Sequence, residues 1–256
     1  MCAMSSQIKI EELYNNAELY EAENACVQRD LDYWKQIISS MAHPVVLELG
    51  CGTGRVARAI LDQVDHYVGI DLSAPFLHYF RQSDCFRRYH NKITLEEESV
   101  FRYQSDLRFD LIMLTSQFPG HIYDSMEFYL LLSKLKNMLK PRGIIAIDYC
   151  NPDIRFLENH TDYQYCYKFP YIGMVQVFEK NTYLQNEQIN YEYRKYLFAN
   201  QTELLQTIPF RIYFPQELDS LIKLSGLRIA EKYGEYDFSE FKEYCTKQLY
   251  LLSPVS

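Results

Sequence analysis

Two acidic residues and a run of glycines form the strongest chemical signal in the chain. Glu48 lies just before Gly50, Gly52 and Gly54, and Asp71 ends the next apolar run, 21 positions after Gly50. Glycines allow a tight turn whose backbone can approach a ligand closely. An acid at the end of the second strand is placed to bind the two hydroxyls of a ribose. The sequence therefore predicts a site for a cofactor that carries a nucleoside.

Two cofactors are consistent with this loop. Gly52, Gly54 and Ala57 satisfy the G-x-G-x-x-G/A pattern of dinucleotide-binding proteins, and Asp71 follows Gly52 by 19 positions. An ionised Glu48 at the strand end, however, is expected to face a pyrophosphate and repel it. The same carboxylate suits the ammonium and sulfonium groups of S-adenosylmethionine, which has no phosphate. A turn shaped by glycines alone would leave both acids unexplained. Glu48 thus favours S-adenosylmethionine over a dinucleotide.

The segment from Glu48 to Gly54 resembles the first motif of class I S-adenosylmethionine-dependent methyltransferases, and Asp71 resembles their ribose-binding acid. The resemblance implies S-adenosylmethionine as cofactor and S-adenosylhomocysteine as product. One departure is Ser99, which stands near the position of the usual adenine-loop acid, so that either Glu98 or backbone groups are expected to take over the contact with adenine. The cofactor-binding residues predicted in this way are Tyr14, Tyr20, Glu48, Gly50, Cys51, Gly52, Gly54, Asp71, Leu72, Ser99, Val100 and Leu114.

Further segments resemble the same superfamily. Residues 109–121 are similar to its fourth strand and following loop, and residues 135–153 to its Pro-x-Gly turn and fifth strand. The resemblance covers a broad group that includes N- and O-methyltransferases of sugars, amino acids and natural products. No Asn/Asp-Pro-Pro-Tyr/Phe sequence follows the fourth strand. Its absence argues against the methylation of DNA bases or protein amides.

The residues around the methyl acceptor are predicted from their place on the sheet. Methyl transfer is an in-line displacement that depends on alignment and the exclusion of water. His121 follows the fourth strand, where open α/β sheets bind ligands, so it is the candidate catalytic base, or else only positions nearby groups. Arg211 either clamps a substrate carboxylate or pairs with an acid of the protein. The predicted substrate-binding residues are Gln117, Tyr149, Asn151, Arg211 and Tyr213.

Alternating strands and helices between residues 45 and 149 are expected to position these groups. The pattern predicts a doubly wound, Rossmann-like parallel sheet of the α/β class. Residues 162–214 alternate aromatic and polar side chains, which predicts three or four antiparallel strands with turns near Pro170, 181–186 and Asn200. We interpret this block as a lid inserted in a methyltransferase domain at 45–256, preceded by a helical cap at 1–44. Residues 8–40 are predicted to be helical with a break at Asn15-Asn16.

Composition narrows the possible partners. The 256 residues carry 26 basic and 34 acidic side chains, a net charge of −8, without a basic cluster that could neutralise nucleic acid phosphates. The seven cysteines form no C-x-x-C pair, so no metal site is predicted. No apolar run has the length of a membrane span or the form of a signal core. We expect a cytoplasmic protein with a small-molecule substrate and no membrane contact.

The leading interpretation is S-adenosylmethionine-dependent methyl transfer to a small-molecule N or O acceptor. The alternatives are methylation of a protein or peptide, a cofactor-binding regulatory protein of the same fold without catalysis, and, more remotely, an NAD oxidoreductase. The sequence leaves open the identity of the acceptor and whether its N, O, S or C atom is methylated. It also leaves open the role of His121 and the oligomeric state, with a homodimer as one option.

Overall fold

The secondary structure follows an alternating α/β order. The computed structural model describes residues 13–25, 27–158, 163–169 and 173–255. The predicted helix start at residues 8–12 and the predicted turn at Pro170 lie outside these ranges. The strands are β1 (Val45–Leu49), β2 (His66–Asp71), β3 (Ile93–Glu97), β4 (Phe109–Leu114), β5 (Leu139–Cys150), β6 (Tyr163–Phe169), β7 (Gly173–Leu184), β8 (Ile189–Phe198), β9 (Glu203–Arg211), β10 (Leu227–Tyr233) and β11 (Lys247–Pro254). The helices are α1 (Ala17–Asn24), α2 (Arg29–Ser39), α3 (Arg55–Ile60), α4 (Ala74–Gln82), α5 (Asp84–Tyr89), α6 (Ser125–Lys136), α7 (Ile154–Glu158) and α8 (Pro215–Leu224).

Seven strands form the larger sheet, in the order β10-β11-β5-β4-β1-β2-β3. Strands β1 to β5 pair in parallel, and β11 lies antiparallel between β5 and β10. The strand order reverses between β1 and β4, and a crevice opens at their carboxyl ends. The predicted doubly wound α/β sheet is confirmed.

Apolar side chains cover both faces of this sheet. On one face Phe128 of α6 and Leu218 of α8 pack into the core, and both are fully buried. On the other face Trp34 of α2 and Phe80 of α4 are fully buried. Removing such a side chain from water contributes about 2 kcal/mol. The carboxyl ends of the strands are therefore held on a rigid platform.

A second, antiparallel sheet has the order β6-β7-β8-β9. It confirms the insertion predicted at 162–214. The turn predicted at 181–186 is wrong by several residues, because β7 continues to Leu184 and the turn occupies 185–188. Asn181 stays within β7, where its side-chain oxygen accepts a hydrogen bond from the amide of Asn190 on β8 at 2.8 Å.

Helix boundaries differ from the sequence prediction in several places. The helical segment predicted at 8–40 breaks at Asn15-Asn16 as expected, but it has a second interruption, since α1 ends at Asn24 and α2 begins at Arg29. Asn16 begins α1 by accepting a hydrogen bond from the N–H of Leu19 at 3.0 Å, as expected of an N-cap. Ser83 caps the unpredicted α5 through the N–H of Phe86. Apolar periodicity alone predicts longer helices, because it does not show where a polar cap ends one helix and begins the next.

Candidate functional site

The glycine loop connects β1 to α3 with left-handed backbone at Gly50, Gly52 and Gly54, whose φ angles are +67°, +55° and +82°. A Cβ atom at Gly50 would lie 2.5 Å from the ring of Phe118. The loop is also tied to β2, because the N–H of Gly50 donates to the carbonyl of Ile70 at 2.8 Å. Bare backbone at Gly50 and Gly52 therefore faces the crevice.

Asp71 ends β2 beside this loop. Its Oδ2 accepts a hydrogen bond from the N–H of Gly52 at 2.7 Å, and its Oδ1 accepts one from the N–H of Ser73 at 2.8 Å. Burial raises the pKa of Asp71, and these two backbone donors partly offset the effect. Each carboxylate oxygen keeps a further acceptor position. The arrangement can accept two hydrogen bonds from a neighbouring pair of hydroxyls.

A single cavity of about 930 Å³ opens at the carboxyl ends of β1, β2, β4 and β5 and extends beneath the second sheet. Residues of the N-terminal segment complete its wall. The predicted site residues that line this cavity are Tyr14, Tyr20, Gly50, Gly52, Asp71, Leu72, Ser99, Val100, Gln117, His121, Tyr149 and Asn151. The structure therefore brings together groups from six separate stretches of sequence.

Glu48 is not on the cavity wall, contrary to the prediction. It is 1% exposed, and its carboxylate accepts hydrogen bonds from the hydroxyls of Tyr67 at 2.5 Å and Thr115 at 2.8 Å. Burial raises the pKa of Glu48 to about 7. Side chains alternate across a strand, so this carboxylate points into the protein beneath the loop. Its two hydrogen bonds link β1 to β2 and to the residue that follows β4.

Three other residues predicted to bind the cofactor also lie off the wall. Cys51 is buried in the core beside Gly69, as a small filler, and Leu114 is fully buried against α6. Gly54 caps the first turn of α3, where its carbonyl accepts from the N–H of Arg58. The first motif thus contributes only its first two glycines directly to the cavity.

Arg211 and Tyr213 are not substrate-lining residues. Arg211 Nη2 lies 2.6 Å from Oε1 of Glu217, with 8% of the Arg211 side chain exposed. The hydroxyl of Tyr213 donates to the carbonyl of Ile122 at 2.7 Å. Of the two roles that the sequence left open for Arg211, the structure has the pairing with an acid of the protein, Glu217.

His121 lies on the cavity wall, at the end of the short helical turn that follows β4. Its Nε2 lies 2.9 Å from the hydroxyl of Tyr14, and its ring centroid is 4.9 Å from that of Phe210 on β9. Burial lowers the pKa of His121 to about 4 and raises that of Tyr14. Both groups are neutral near pH 7, so the pair offers one proton and one lone pair without a net charge.

Sequence reasoning missed an ion pair beside the glycine loop. Arg55 donates to both carboxylate oxygens of the buried Asp30, at 2.8 and 2.6 Å, and its Nη2 donates to the hydroxyl of Ser116 at 3.0 Å. All three residues line the cavity. The partners lie 25 and 61 positions apart in the chain, so no local pattern could have joined them.

A second missed cluster surrounds Asp148 at the end of β5. Its carboxylate accepts from the hydroxyl of Tyr236 at 2.9 Å and from the N–H of Ser116 at 3.3 Å, and Lys247 Nζ lies 3.4 Å away. Asp148 is 1% exposed, and this cluster also lines the cavity. The position of Asp148 near the end of a strand could have indicated a site residue, as the position of Asp71 did.

Within the described part of the chain, no group of three or more His, Cys, Asp or Glu residues is arranged to hold a metal ion. None of the helices at residues 13–25, 27–158 and 173–255 is long and apolar enough to cross a membrane.

Comparison with known proteins defines the class. Residues 47–145 match the family model of a methyltransferase domain. The fold resembles the CcbJ methyltransferase of Streptomyces caelestis, with a TM-score of 0.80 at 17% identity over 95% of this chain and 99% of that one. It also resembles the sugar N-methyltransferase KedS8 of Streptoalloteichus, with a TM-score of 0.78 at 13% identity over 100% of this chain and 99% of that one. A third likeness is to the amino pentose methyltransferase CalS10 of Micromonospora echinaspora, with a TM-score of 0.72 at 14% identity over 96% of this chain and 99% of that one.

No curated protein matches the chain by sequence. At the identities above, the structural likeness establishes the fold, and the family model identifies the methyltransferase domain within it. Residues 47–145 therefore form a methyltransferase domain, within a fold that the whole chain shares with known methyltransferases. This agrees with the resemblance of the first motif to class I S-adenosylmethionine-dependent methyltransferases.

Proposed function

We propose that the protein transfers the methyl group of S-adenosylmethionine to an N or O atom of a small molecule held between His121 and the second sheet. The observation that carries this proposal is the single cavity that joins the Asp71 end of the crevice to the His121 loop and the inner face of β7 to β9. Donor and acceptor can therefore meet in one space that the protein covers.

The cofactor end of this cavity fits a nucleoside. Asp71 presents two acceptor positions for ribose hydroxyls, held in place by backbone donors. Phe76 and Val100 line the same region and offer apolar surface for an adenine. When bound, the cofactor supplies a methyl group made electrophilic by a sulfonium. The neutral face of a tyrosine, Tyr14 or Tyr20, attracts such a cation by about 1–2 kcal/mol when water is excluded.

The N-terminal segment acts as a cap on this end in our proposal. Arg58 Nη2 lies 2.9 Å from the carboxylate of Glu21 on α1, with both side chains largely buried. The hydroxyl of Ser73 donates to the carbonyl of Tyr14, and the Tyr14 ring packs edge-on against Phe76 at 5.8 Å. These contacts hold α1 over the glycine loop and exclude water from the reacting groups.

At the acceptor end, the pair of His121 and Tyr14 orients the nucleophile. A neutral imidazole with a lowered pKa is a poor base towards a protonated amine, but it accepts a hydrogen bond well. The pair can hold an N–H or O–H of the acceptor so that its lone pair faces the methyl carbon. Alignment of this kind can contribute several kcal/mol to the rate.

The second sheet favours a small acceptor over a peptide. Strands β7 to β9 contribute residues to the cavity wall opposite the crevice, with Ile208, Phe210 and Ile212 on the β9 side. Two proteins that share the fold are named as a sugar N-methyltransferase and an amino pentose methyltransferase, and neither name refers to a peptide. Methylation of a protein or peptide remains the second candidate, and it requires the sheet to leave an open groove.

Calorimetric titration tests the cofactor part of the proposal. We expect S-adenosylhomocysteine to bind with micromolar affinity and NAD to bind at least 100-fold more weakly. The Asp71→Asn variant should lose affinity, whereas Asp65→Asn, at a side chain 67% exposed, should retain it. Tight binding of NAD without binding of S-adenosylhomocysteine would refute the proposal.

A further inference from the structure

The inner face of the second sheet is polar, although it faces the interior. On β7 the cavity-lining residues are Glu179 and Asn181, and on β8 they are Asn190, Glu192 and Arg194. These residues alternate along each strand, and in the register Glu179 lies opposite Arg194 and Asn181 opposite Glu192. The face is therefore a continuous patch produced by period-two spacing. We call these five residues, together with Glu23 of α1, the lid patch.

The lid patch has more negative than positive charge. Arg194 is its single cation, and this residue pairs with Glu23 and Glu179 at 3.4 Å each and with Glu192. The four side chains are between 13% and 24% exposed. Over the whole cavity wall, eight acidic residues face three basic ones, Arg55, Arg194 and Lys247. S-adenosylmethionine has a net charge of about +1, so it offsets only part of this excess.

Polar groups next to the carboxylates lack partners among the described residues. The Oδ1 atom of Asn190 has no hydrogen-bond donor there, although Asn190 is only 7% exposed and lines the cavity. Gln206 of β9 lies opposite Arg194 in the register, is 2% exposed, and has neither its oxygen nor its nitrogen paired within the described chain. Buried polar atoms are costly unless a partner satisfies them. Asn190 therefore presents to the cavity an acceptor that a bound hydrogen-bond donor would complete.

The pKa values of the patch carboxylates are consistent with a site for a cation. Burial raises the pKa of Glu192 to about 7 and also raises the pKa of Glu23, despite the neighbouring Arg194. The third carboxylate of the patch is Glu179, and the neighbouring Tyr196, outside the patch, donates its hydroxyl to Glu23 at 2.7 Å. A second cation in the patch would favour the ionised carboxylates, because opposite charges stabilise each other at short range.

We infer that the lid patch binds a positively charged group of the methyl acceptor, so that the substrate is a small molecule with an ammonium group besides the atom that is methylated. This inference rests on the proposed function and names its substrate class. One cationic group would contact Glu179 and Glu192 and donate to Asn190, while the acceptor atom lies at His121. Excess negative charge on the lid would also select against acidic or neutral acceptors of the same size.

The test uses three four-carbon ligands and the full-length protein saturated with S-adenosylhomocysteine. Calorimetry compares 1,4-diaminobutane, 4-amino-1-butanol and 1,4-butanediol. We expect both amines to bind at least tenfold more tightly than the diol, which has the same length and no ammonium group. A hydrogen bond to a charged group contributes about 1.5–3 kcal/mol, which corresponds to tenfold or more. Glu192→Gln should lower the affinity for the diamine by about tenfold.

Controls separate the lid patch from general effects. Glu203→Gln removes a carboxylate of β9 that is 51% exposed and pairs with Lys195, so this variant should bind the diamine as the wild type does. Glu179→Gln gives a second variant of the patch if Glu192→Gln does not fold, as judged by its melting temperature. Equal affinity for the amino alcohol and the diol, unchanged binding by the folded patch variants, or no binding of any amine would each overturn the inference. Failure to bind S-adenosylhomocysteine would instead overturn the proposed function.

Discussion

Acidification should destabilise the folded protein through His121. Burial lowers the pKa of this imidazole from 6.5 to about 4 in the folded state, so below pH 6.5 the unfolded chain binds a proton that the folded chain does not. Stability is therefore lost as the pH falls from 6.5 towards 4. The difference between the two pKa values corresponds to about 3 kcal/mol, since one pKa unit is worth about 1.4 kcal/mol.

Urea denaturation of the wild type and His121→Gln between pH 7.5 and 4.5 measures this contribution. Glutamine does not titrate, so subtracting the two free energies of unfolding removes every other group, including Glu48 and Glu192, whose raised pKa values act in the opposite direction. We expect the difference to change by about 2–3 kcal/mol over this range. His43→Gln, at a side chain 75% exposed, is the matched control and should show no such change. A difference between wild type and His121→Gln that is constant with pH would refute the burial of a neutral imidazole.

Three substitutions test other parts of the site. Asp71→Asn removes the negative charge and turns an NH₂ group towards one of the two backbone N–H donors, so the Kd for S-adenosylhomocysteine should rise roughly 10- to 100-fold in calorimetry. A change below twofold would contradict the ribose assignment. Gly54→Ala should cost about 2 kcal/mol more in urea denaturation than Gly173→Ala, because both have positive φ but only Gly54 has a phenylalanine ring 2.6 Å from the new Cβ; equal costs would count against that packing. Tyr14→Phe keeps the ring and removes the hydroxyl bonded to His121, so kcat should fall about tenfold with cofactor affinity unchanged; an unaltered kcat would exclude a role for the pair.

The sheet and the cofactor end could be predicted because their signals are local. Apolar runs such as 109–114 mark buried strands, glycines mark the loop, and Asp71 stands at a strand end where the topology leads all carboxyl ends to one edge. The antiparallel insertion was equally visible from its alternation. Helix ends were less predictable, since they depend on single caps such as Ser83.

The orientation of individual side chains could not be predicted as well. Arg211 faces away from the cavity because Phe210 and Ile212 face it, and side chains alternate along a strand. The alternation of side chains along β9 could be predicted from the sequence. Which face of β9 turns towards the crevice could not. The prediction that Glu48 contacts the ligand had the same weakness. Nothing in the local sequence indicated that the hydroxyls of Tyr67 and Thr115 would satisfy its carboxylate. Tertiary packing decides both cases.

The lid patch was the feature hardest to predict from the sequence. The lid patch joins Glu23 of α1 to Arg194 of β8, 171 positions apart, and the pairing depends on how the second sheet folds back over the crevice. Two of its members, Glu179 and Glu192, do alternate with outward-facing residues. An inward-facing polar stripe on a sheet that covers a cavity is the signal that could have revealed it.

Transfer of an isotopically labelled methyl group tests the central claim most directly. The protein is incubated with S-adenosylmethionine that carries a trideuterated methyl group, together with a mixture of small cationic amines and, separately, a peptide library. Mass spectrometry then locates the label. Our account predicts that it appears on an N or O atom of a small amine and that His121→Ala abolishes most of this transfer. Label found only on peptides, or on small molecules at an equal rate with His121→Ala, would contradict it.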